Sequence, residues 1–246
     1  MKKVYLYKGF ERFWHWSQSV IIIILMLTGF EIHGSFNLFG YKESVLMHNT
    51  MAWSFMVLMV FAIFWHITTG EWVQYVPTLK NLKTQIEYYL GGIFKNSPHP
   101  TGKRLLSKLN PLQRLTYFGL KVILIPLSVL SGIFYMFFHY PVAGFEVASL
   151  EIIALLHVAG AYLLVGFLII HLYLITTGHT VFSNLKAMIT GWEELGDDEV
   201  NDVLEDVINS AEKIIRTEPK SKSTQNKEKI KTMVEDLVMQ QANQQK

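Results

Sequence analysis

The 246-residue chain contains no cysteine. Disulfide bonds, iron–sulfur clusters and covalently attached c-type haem all require cysteine, so the chain can hold none of them. Any redox cofactor would therefore be bound through other side chains.

Charged residues are scarce, at 17% of the chain, whereas half of the residues are apolar. Soluble domains carry about 25% charged residues. Four apolar runs each approach the roughly 20 residues that a helix needs to cross a bilayer, and they occupy residues 13–32, 48–69, 116–138 and 152–177. The composition predicts an all-α protein, an integral membrane four-helix bundle. Lys2 and Lys3 could mark a secretory signal, but they lie too far from the first run and no small-residue cleavage site follows it, so we expect the run to be retained.

The distribution of Lys and Arg predicts the orientation of the bundle. Four basic residues precede the first run and seven lie between the second and third runs. Between the first and second runs there is only Lys42, and between the third and fourth there is no basic residue. Because basic loops stay in the cytoplasm, both termini are expected to be cytoplasmic.

The chain changes character after the fourth run. Residues 193–206 include eight acidic side chains and no basic ones, and a Lys-rich stretch follows. Apolar residues recur there at helical spacing. We expect a membrane domain at 1–195 and a cytoplasmic, charged, amphipathic helical tail at 196–246.

Two histidines lie within the fourth run. His157 and His171 are 14 residues apart, which in a helix corresponds to about 21 Å and to nearly four full turns, so both side chains share one face. His171 has His15 at its own depth near the inner surface, and His157 has His48 near the outer surface. Two pairs of imidazoles at two depths suit bis-imidazole ligation of two stacked haems, which without cysteine would be b-type.

Two other patterns leave alternatives open. His66 follows His48 by five helical turns, so it faces the same interior and could compete with His15 as a ligand, although a supporting or quinone-pocket role fits better. A hydroxyl–glycine pair recurs late in each run, at 28–29, 69–70, 131–132 and 177–178. Such pairs could cap and pack helices, or allow close approach to a flat cofactor.

Several motifs together resemble one family, over roughly residues 5–195. They are ERFWHW, LMH, LNPLQRLTYF, VLSGIFY, LLHVAGAYLLVGFLIIHLYLITTGH and NLKAMITGW. They are similar to the di-haem cytochrome b subunits that anchor respiratory nickel–iron hydrogenases, formate dehydrogenases and thiosulfate reductases in bacterial inner membranes. The segments ITTGHT and MITGWEEL look most like the thiosulfate reductase type.

The resemblance implies a membrane subunit with two b haems that passes electrons between quinone, either menaquinone or ubiquinone, and an extracytoplasmic redox subunit. That partner would be an iron–sulfur, molybdenum, nickel–iron or multihaem protein, and no nucleic acid is expected to bind.

Specific residues of this chain match the family's sites. His15 and His171 match the ligands of the inner haem, and His48 and His157 match those of the outer haem. The family's quinone pocket maps to Asn110 and Gln113, for which ordinary loop polarity is the alternative. Haem propionates could be neutralised by Arg12 or Lys121, and we favour Arg12. Either side chain could instead extend to lipid headgroups.

Two other classes of function remain open. The same histidines could serve a haem-free proton or metal transporter, but such proteins usually add carboxylates within the membrane. Here Glu31, Glu71 and Glu151 lie at the ends of the runs. A di-haem quinone oxidoreductase without a partner subunit is the second alternative.

Overall fold

A computed structural model describes residues 2–92, 95, 97, 108–140 and 149–196. The predicted tail at 196–246 lies outside these residues except for Gly196. The helices of the described part are α1 (Gly9–Ile32), α2 (Tyr41–Thr69), a 3₁₀ helix (Glu71–Tyr75), α3 (Leu82–Glu87), a π turn (Tyr88–Gly92), α4 (Pro111–His139), α5 (Glu151–Ile175) and α6 (Ser183–Thr190).

Four of these helices, α1, α2, α4 and α5, are long and apolar enough to cross a membrane. This confirms the predicted four-helix bundle. Few of their side chains are buried, and large apolar residues such as Leu46, Phe61 and Ile152 are more than half exposed. Exposed apolar surface around a whole bundle is what contact with lipid requires.

A small antiparallel sheet is added to the helical bundle. β1 (Lys2–Tyr5) pairs with β2 (Trp192–Leu195), with Val4 opposite Glu193. Val4, Leu6 and Leu195 form a small buried cluster beside it. We call the end of the bundle that carries this sheet, Gly9 and Ile175 the proximal end, and the end that carries Ile32 and Glu151 the distal end.

The long helices begin earlier than the apolar runs suggested, because polar groups at their ends satisfy free backbone N–H groups. Glu11 accepts the N–H of Lys8 at 2.8 Å at the start of α1. Before α2, the buried carboxylate of Glu31 accepts the N–H groups of Phe39 and Gly40 at 2.8 and 2.7 Å. Glu31 is therefore a structural cap rather than a free intramembrane acid.

Helix α4 contains a π turn at Leu120–Leu124. Pro126 follows directly; it has no N–H and cannot continue the regular ladder of an α-helix. The N–H of Ile125 instead bonds to the carbonyl of Leu120, five residues back. An apolar layer at mid-depth packs around this turn and joins all four helices, with Phe55, Leu120 and Ile125 buried at its centre.

Candidate functional site

The structure brings His48 and His157 together near the distal end. Their ring centroids lie 6.1 Å apart and the ring planes are inclined at 76°. His48 comes from α2 and His157 from α5, so the pair joins two spans that are not consecutive in the chain.

Hydroxyl groups on the two remaining helices hold these rings. The hydroxyl of Thr28 donates to the carbonyl of Ile24 at 2.7 Å, so Nδ1 of His48, 3.0 Å from the same oxygen, must act as the donor. In the same way, Nδ1 of His157 lies 3.1 Å from the hydroxyl of Ser131 and 3.1 Å from the carbonyl of Ser128, which can only accept. Both rings therefore carry the proton on Nδ1 and keep a lone pair on Nε2, the form that binds a metal.

The glycines next to these hydroxyls leave space for the rings. A Cβ on Gly29 would lie 3.2 Å from Cε1 of His48, and one on Gly132 would lie 3.1 Å from Cε1 of His157. Thr28–Gly29 on α1 thus matches Ser131–Gly132 on α4. These two hydroxyl–glycine pairs position histidines, which neither sequence-based interpretation anticipated. Residues 177–178 follow the end of α5, so the prediction that this pair lies within the fourth span is wrong.

His15 and His171 meet near the proximal end. Their ring centroids are 6.2 Å apart and the ring planes are inclined at 50°. Phe167 stacks on His171, with centroids 5.7 Å apart and planes at 10°. The Tyr117 hydroxyl lies 3.4 Å from Nδ1 of His171. Nδ1 of His15 is buried with no hydrogen-bond partner in the described part of the chain.

Both pairs fit a bis-imidazole metal centre. An imidazole nitrogen binds a transition metal at about 2 Å, so two imidazoles on opposite sides of one ion have ring centroids roughly 6 Å apart. The two observed separations of 6.1 and 6.2 Å agree with this value. The roles of the four histidines as axial ligands stay a prediction that this geometry supports.

A cavity of about 420 Å³ surrounds the proximal pair. His66, Asn110 and Gln113 line it together with His15 and His171. The residues predicted for the inner haem and for quinone therefore share one cavity, whose volume is typical of a small-molecule site.

Asn110 and Gln113 also form the N-terminal cap of α4. Oδ1 of Asn110 accepts the N–H of Gln113 at 2.8 Å, and Oε1 of Gln113 accepts the N–H of Asn110 at 3.0 Å. Nδ2 of Asn110 donates to the hydroxyl of Tyr89 at 3.1 Å. The capping box gives both side chains a structural reason to be polar at the start of α4, and their role in binding quinone stays a prediction.

Arg12 and Lys121 differ in their surroundings. Nη1 of Arg12 donates to the carbonyl of Ile189 at 2.5 Å, which ties α1 to α6. Lys121 lines the cavity, with Nζ 3.4 Å from Nε2 of His66. From the sequence, both side chains are candidates for binding haem propionates or lipid headgroups, and Arg12 is favoured for the propionates. The structure places Lys121 inside the bundle, and propionate binding by Arg12 stays a prediction.

Tyrosines and ion pairs complete the proximal wall. Burial raises the pKa of Tyr75, and the nearby carboxylates of Glu11 and Glu71 raise it further. Burial likewise raises the pKa of Tyr7. Both phenols stay protonated at neutral pH and can donate hydrogen bonds into the cavity. Lys108 is 2.7 Å from the carboxylate of Glu11 across this wall.

Comparisons with known proteins agree with these features. A family model described as prokaryotic cytochrome b561 matches residues 6–191. The putative cytochrome YdhU of Escherichia coli (strain K12) is 30% identical over 200 residues, which cover 78% of this chain and 75% of that protein. No solved structure matches the chain at a significant level.

Proposed function

The chain belongs to the prokaryotic cytochrome b561 family, and we propose that it carries two b haems and moves electrons between quinone and an extracytoplasmic redox protein. Membership makes it a multi-pass b-type cytochrome of the bacterial inner membrane that acts in transmembrane electron transfer. The observation that carries the finer proposal is the presence of two imidazole pairs, one near each end of the bundle.

The protein's own residues would hold and tune the cofactors. Haem b supplies one-electron chemistry when bound, and it would be held by Nε2 of His48 and His157 at the distal end and by His15 and His171 at the proximal end. Hydrogen bonds from Nδ1 to Thr28 and Ser128 make the distal imidazoles more basic. The apolar layer around Phe55 keeps water out between the two sites.

The proximal cavity is the proposed quinone site. Its wall combines apolar and aromatic side chains with a few polar groups, including the amide of Gln113. Such a lining suits a flat ring that carries two carbonyl oxygens. The positive-inside pattern favours the cytoplasmic face for this end, where protons would be exchanged.

The distal pair supports a partner on the opposite face. A quinone-only protein with its site at the proximal end has no use for a second haem about 20 Å away along α5. Electrons that cross this distance would link a protein outside the cytoplasm to quinone inside the membrane. The partner is proposed to be an iron–sulfur, molybdenum, nickel–iron or multihaem subunit of a hydrogenase, formate dehydrogenase or thiosulfate reductase type.

The transporter alternative has less support. Within the described ranges, no group of three or more His, Asp or Glu side chains converges on one point. The carboxylate of Glu31 already accepts hydrogen bonds from backbone N–H groups. Family membership also favours a cytochrome.

The quinone site is tested by electron transfer from a soluble naphthoquinol to the haems. Asn110→Ser combined with Gln113→Glu keeps capping oxygens but removes both amide groups. We expect slower haem reduction with both haem spectra intact, and unchanged kinetics would place the site elsewhere. Thr116→Ala is the matched control, because among the described residues its exposed hydroxyl donates to the carbonyl of Leu112 on its own helix.

The docking face is tested by crosslinking in native membranes. A photo-crosslinker at Asn37, in the exposed distal loop, should capture a redox protein. The same group at Lys83, exposed near the proximal end, serves as the control. Capture of a redox protein only from Lys83 would contradict the proposed direction.

A further inference from the structure

We propose that Lys121 and His66 form a proton-transfer pair in the proximal cavity, with Lys121 passing protons to and from a quinone carbonyl oxygen. This inference rests on the proposed quinone function. It assigns a chemical role to two side chains that a haem-anchoring role does not require.

Hydrogen bonding fixes the proton on His66. Nδ1 lies 2.6 Å from the carbonyl of Ala62, which can only accept, so Nδ1 carries the hydrogen. The lone pair of the neutral ring is then on Nε2, and Nε2 is 3.4 Å from Nζ of Lys121. His66 is buried. Its Nε2 therefore accepts a hydrogen bond from the ammonium of Lys121. Because both ring nitrogens then have partners, this arrangement argues against His66 as a competing haem ligand.

Aromatic faces enclose the ammonium of Lys121. Nζ lies 3.2 Å from the ring centroid of Tyr75 and 4.7 Å from that of Trp14. These contacts stabilise a cation without neutralising it. A cation held this way inside a membrane bundle is costly, and such groups generally have a function.

The surrounding charged groups leave Lys121 without a carboxylate in direct contact in the described residues. Its neighbours are His66 on α2 and Tyr75 on the 3₁₀ helix, and Tyr117 lies one turn earlier on α4. Glu11 and Glu71 are farther away, and each is already paired, with Lys108 and Lys8 respectively. The charge of Lys121 therefore remains available to an oxygen that enters the cavity.

The backbone of α4 supports this role. Lys121 lies in the π turn at Leu120–Leu124, which Pro126 explains. Turns of this kind change the direction of side chains and often mark functional positions. Lys121 lines the same cavity as Gln113, eight residues earlier on the helix.

A polar route leads from the cavity to the surface. Gln74 lines the cavity and donates a hydrogen bond to Glu71. Glu71 pairs with Lys8 at 2.6 Å, and the Lys8 side chain is 57% exposed. Lys8 and Glu71 can bind and release protons, and Gln74 connects them by a hydrogen bond to the cavity that Lys121 also lines.

Reduction of one quinone takes two electrons, which a haem b held by His15 and His171 would supply one at a time, and two protons from the aqueous phase. For each proton delivered by this pair, an N–H bond of Lys121 breaks, an O–H bond forms on the quinone oxygen, and the neutral amine is reprotonated along the polar route. His66 accepts a hydrogen bond from the ammonium and keeps Nζ in place. Quinol oxidation runs the same exchange in reverse.

Three substitutions separate charge from proton transfer. Lys121→Arg keeps a cation that does not deprotonate, Lys121→Met removes the charge, and His66→Gln keeps polar atoms but no basic ring nitrogen. Two readouts are needed: the affinity for a quinone analogue without turnover, by calorimetry, and the rate and solvent isotope effect of naphthoquinol-driven haem reduction. Lys83→Met is the exposed control.

We expect Lys121→Arg to bind the analogue within about twofold of wild type but to react about 100-fold more slowly, with an altered isotope effect. Lys121→Met should bind the analogue less tightly and also react more slowly. The affinity and rate of His66→Gln should lie between those of wild type and Lys121→Met. A wild-type rate in Lys121→Arg would overturn the inference, as would loss of a haem in that variant. If Lys121→Arg does not fold, a wild-type rate and isotope effect in His66→Gln would overturn it. Absence of any reaction between wild type and quinol would instead refute the proposed function.

Discussion

Nδ1 of His48 on α2 lies 3.0 Å from the hydroxyl oxygen of Thr28 on α1. Because that hydroxyl donates to Ile24, the histidine must donate to it, which fixes the tautomer of the ring. His157 is held similarly by Ser131 and by the carbonyl of Ser128. In the distal site, α1 thus holds the histidine of α2 in the way that α4 holds the histidine of α5.

Thr28→Val removes the nearest acceptor of His48, the hydroxyl at 3.0 Å, and leaves only the backbone carbonyl of Leu25 close to the ring. The imidazole becomes a weaker electron donor, so the reduced distal haem is favoured and its midpoint potential should rise. We expect a rise of roughly 20–60 mV, since 59 mV corresponds to a tenfold change for one electron. Redox titration of the two haem bands measures it. Ser131→Ala should give a smaller rise because the Ser128 carbonyl remains, and a change confined to the proximal haem would contradict the assignment.

Gly132→Ala should disturb the distal site by contact. The new methyl group would lie 3.1 Å from Cε1 of His157, so the ring must move by a few tenths of an ångström. Electron paramagnetic resonance should show a shifted signal for one low-spin haem. Gly166→Ala is the matched control, because no atom lies within 4 Å of its new Cβ and it points about half a turn away from His157. Equal effects of the two substitutions would contradict steric positioning by Gly132.

The depth pairing of the four histidines could be predicted from the sequence because helical geometry is regular. A separation of 14 residues fixes both the distance and the shared face of His157 and His171. The capping box of Asn110 and Gln113 was also a local signal, since an Asn followed three positions later by Gln has the spacing of this motif. The sequence predicts a quinone site at these residues, with ordinary loop polarity as the alternative, whereas the cap uses the side-chain oxygens of both.

Other features depended on contacts between distant segments. β1 at Lys2–Tyr5 pairs with β2 at Trp192–Leu195, which is far from it in the sequence, and neither four-residue strand is identifiable locally. The direction of Lys121 depends on the π turn and on α2 beside it, so helical spacing alone could not place it in the cavity. The early start of α2 depended on the carboxylate of Glu31 from the preceding helix.

The Lys8–Glu71 pair predicts a pH effect on stability. The hydrogen bond to Glu71 raises the pKa of Lys8. Burial tends to raise the pKa of Glu71, but the hydrogen bond from Lys8 and nearby lysines lower it below its ordinary 4.5. A lowered carboxyl pKa gives stability that is present above 4.5 and is lost as pH falls through the folded value. A raised lysine pKa gives stability that is present below 10.5 and is lost as pH rises through the folded value.

Thermal unfolding in detergent tests this effect. Because Lys8 is largely exposed, Glu71→Gln should cost less than about 1 kcal/mol at pH 7. The difference from wild type should shrink below pH 4.5 and above pH 10.5. Glu87→Gln, at an exposed helical ion pair with Lys83, is the control and should have no measurable effect. A constant difference across the whole pH range would show that the loss is not electrostatic.

The number of haems bound by each chain tests the central claim most directly. A pyridine haemochrome assay on the purified protein should return two b haems per chain. His48→Ala or His157→Ala should remove the distal haem, and His15→Ala or His171→Ala the proximal one, each leaving the other spectrum in place. A wild-type protein with one haem or none would contradict the account, and so would loss of a haem in His66→Ala with both haems retained in His15→Ala.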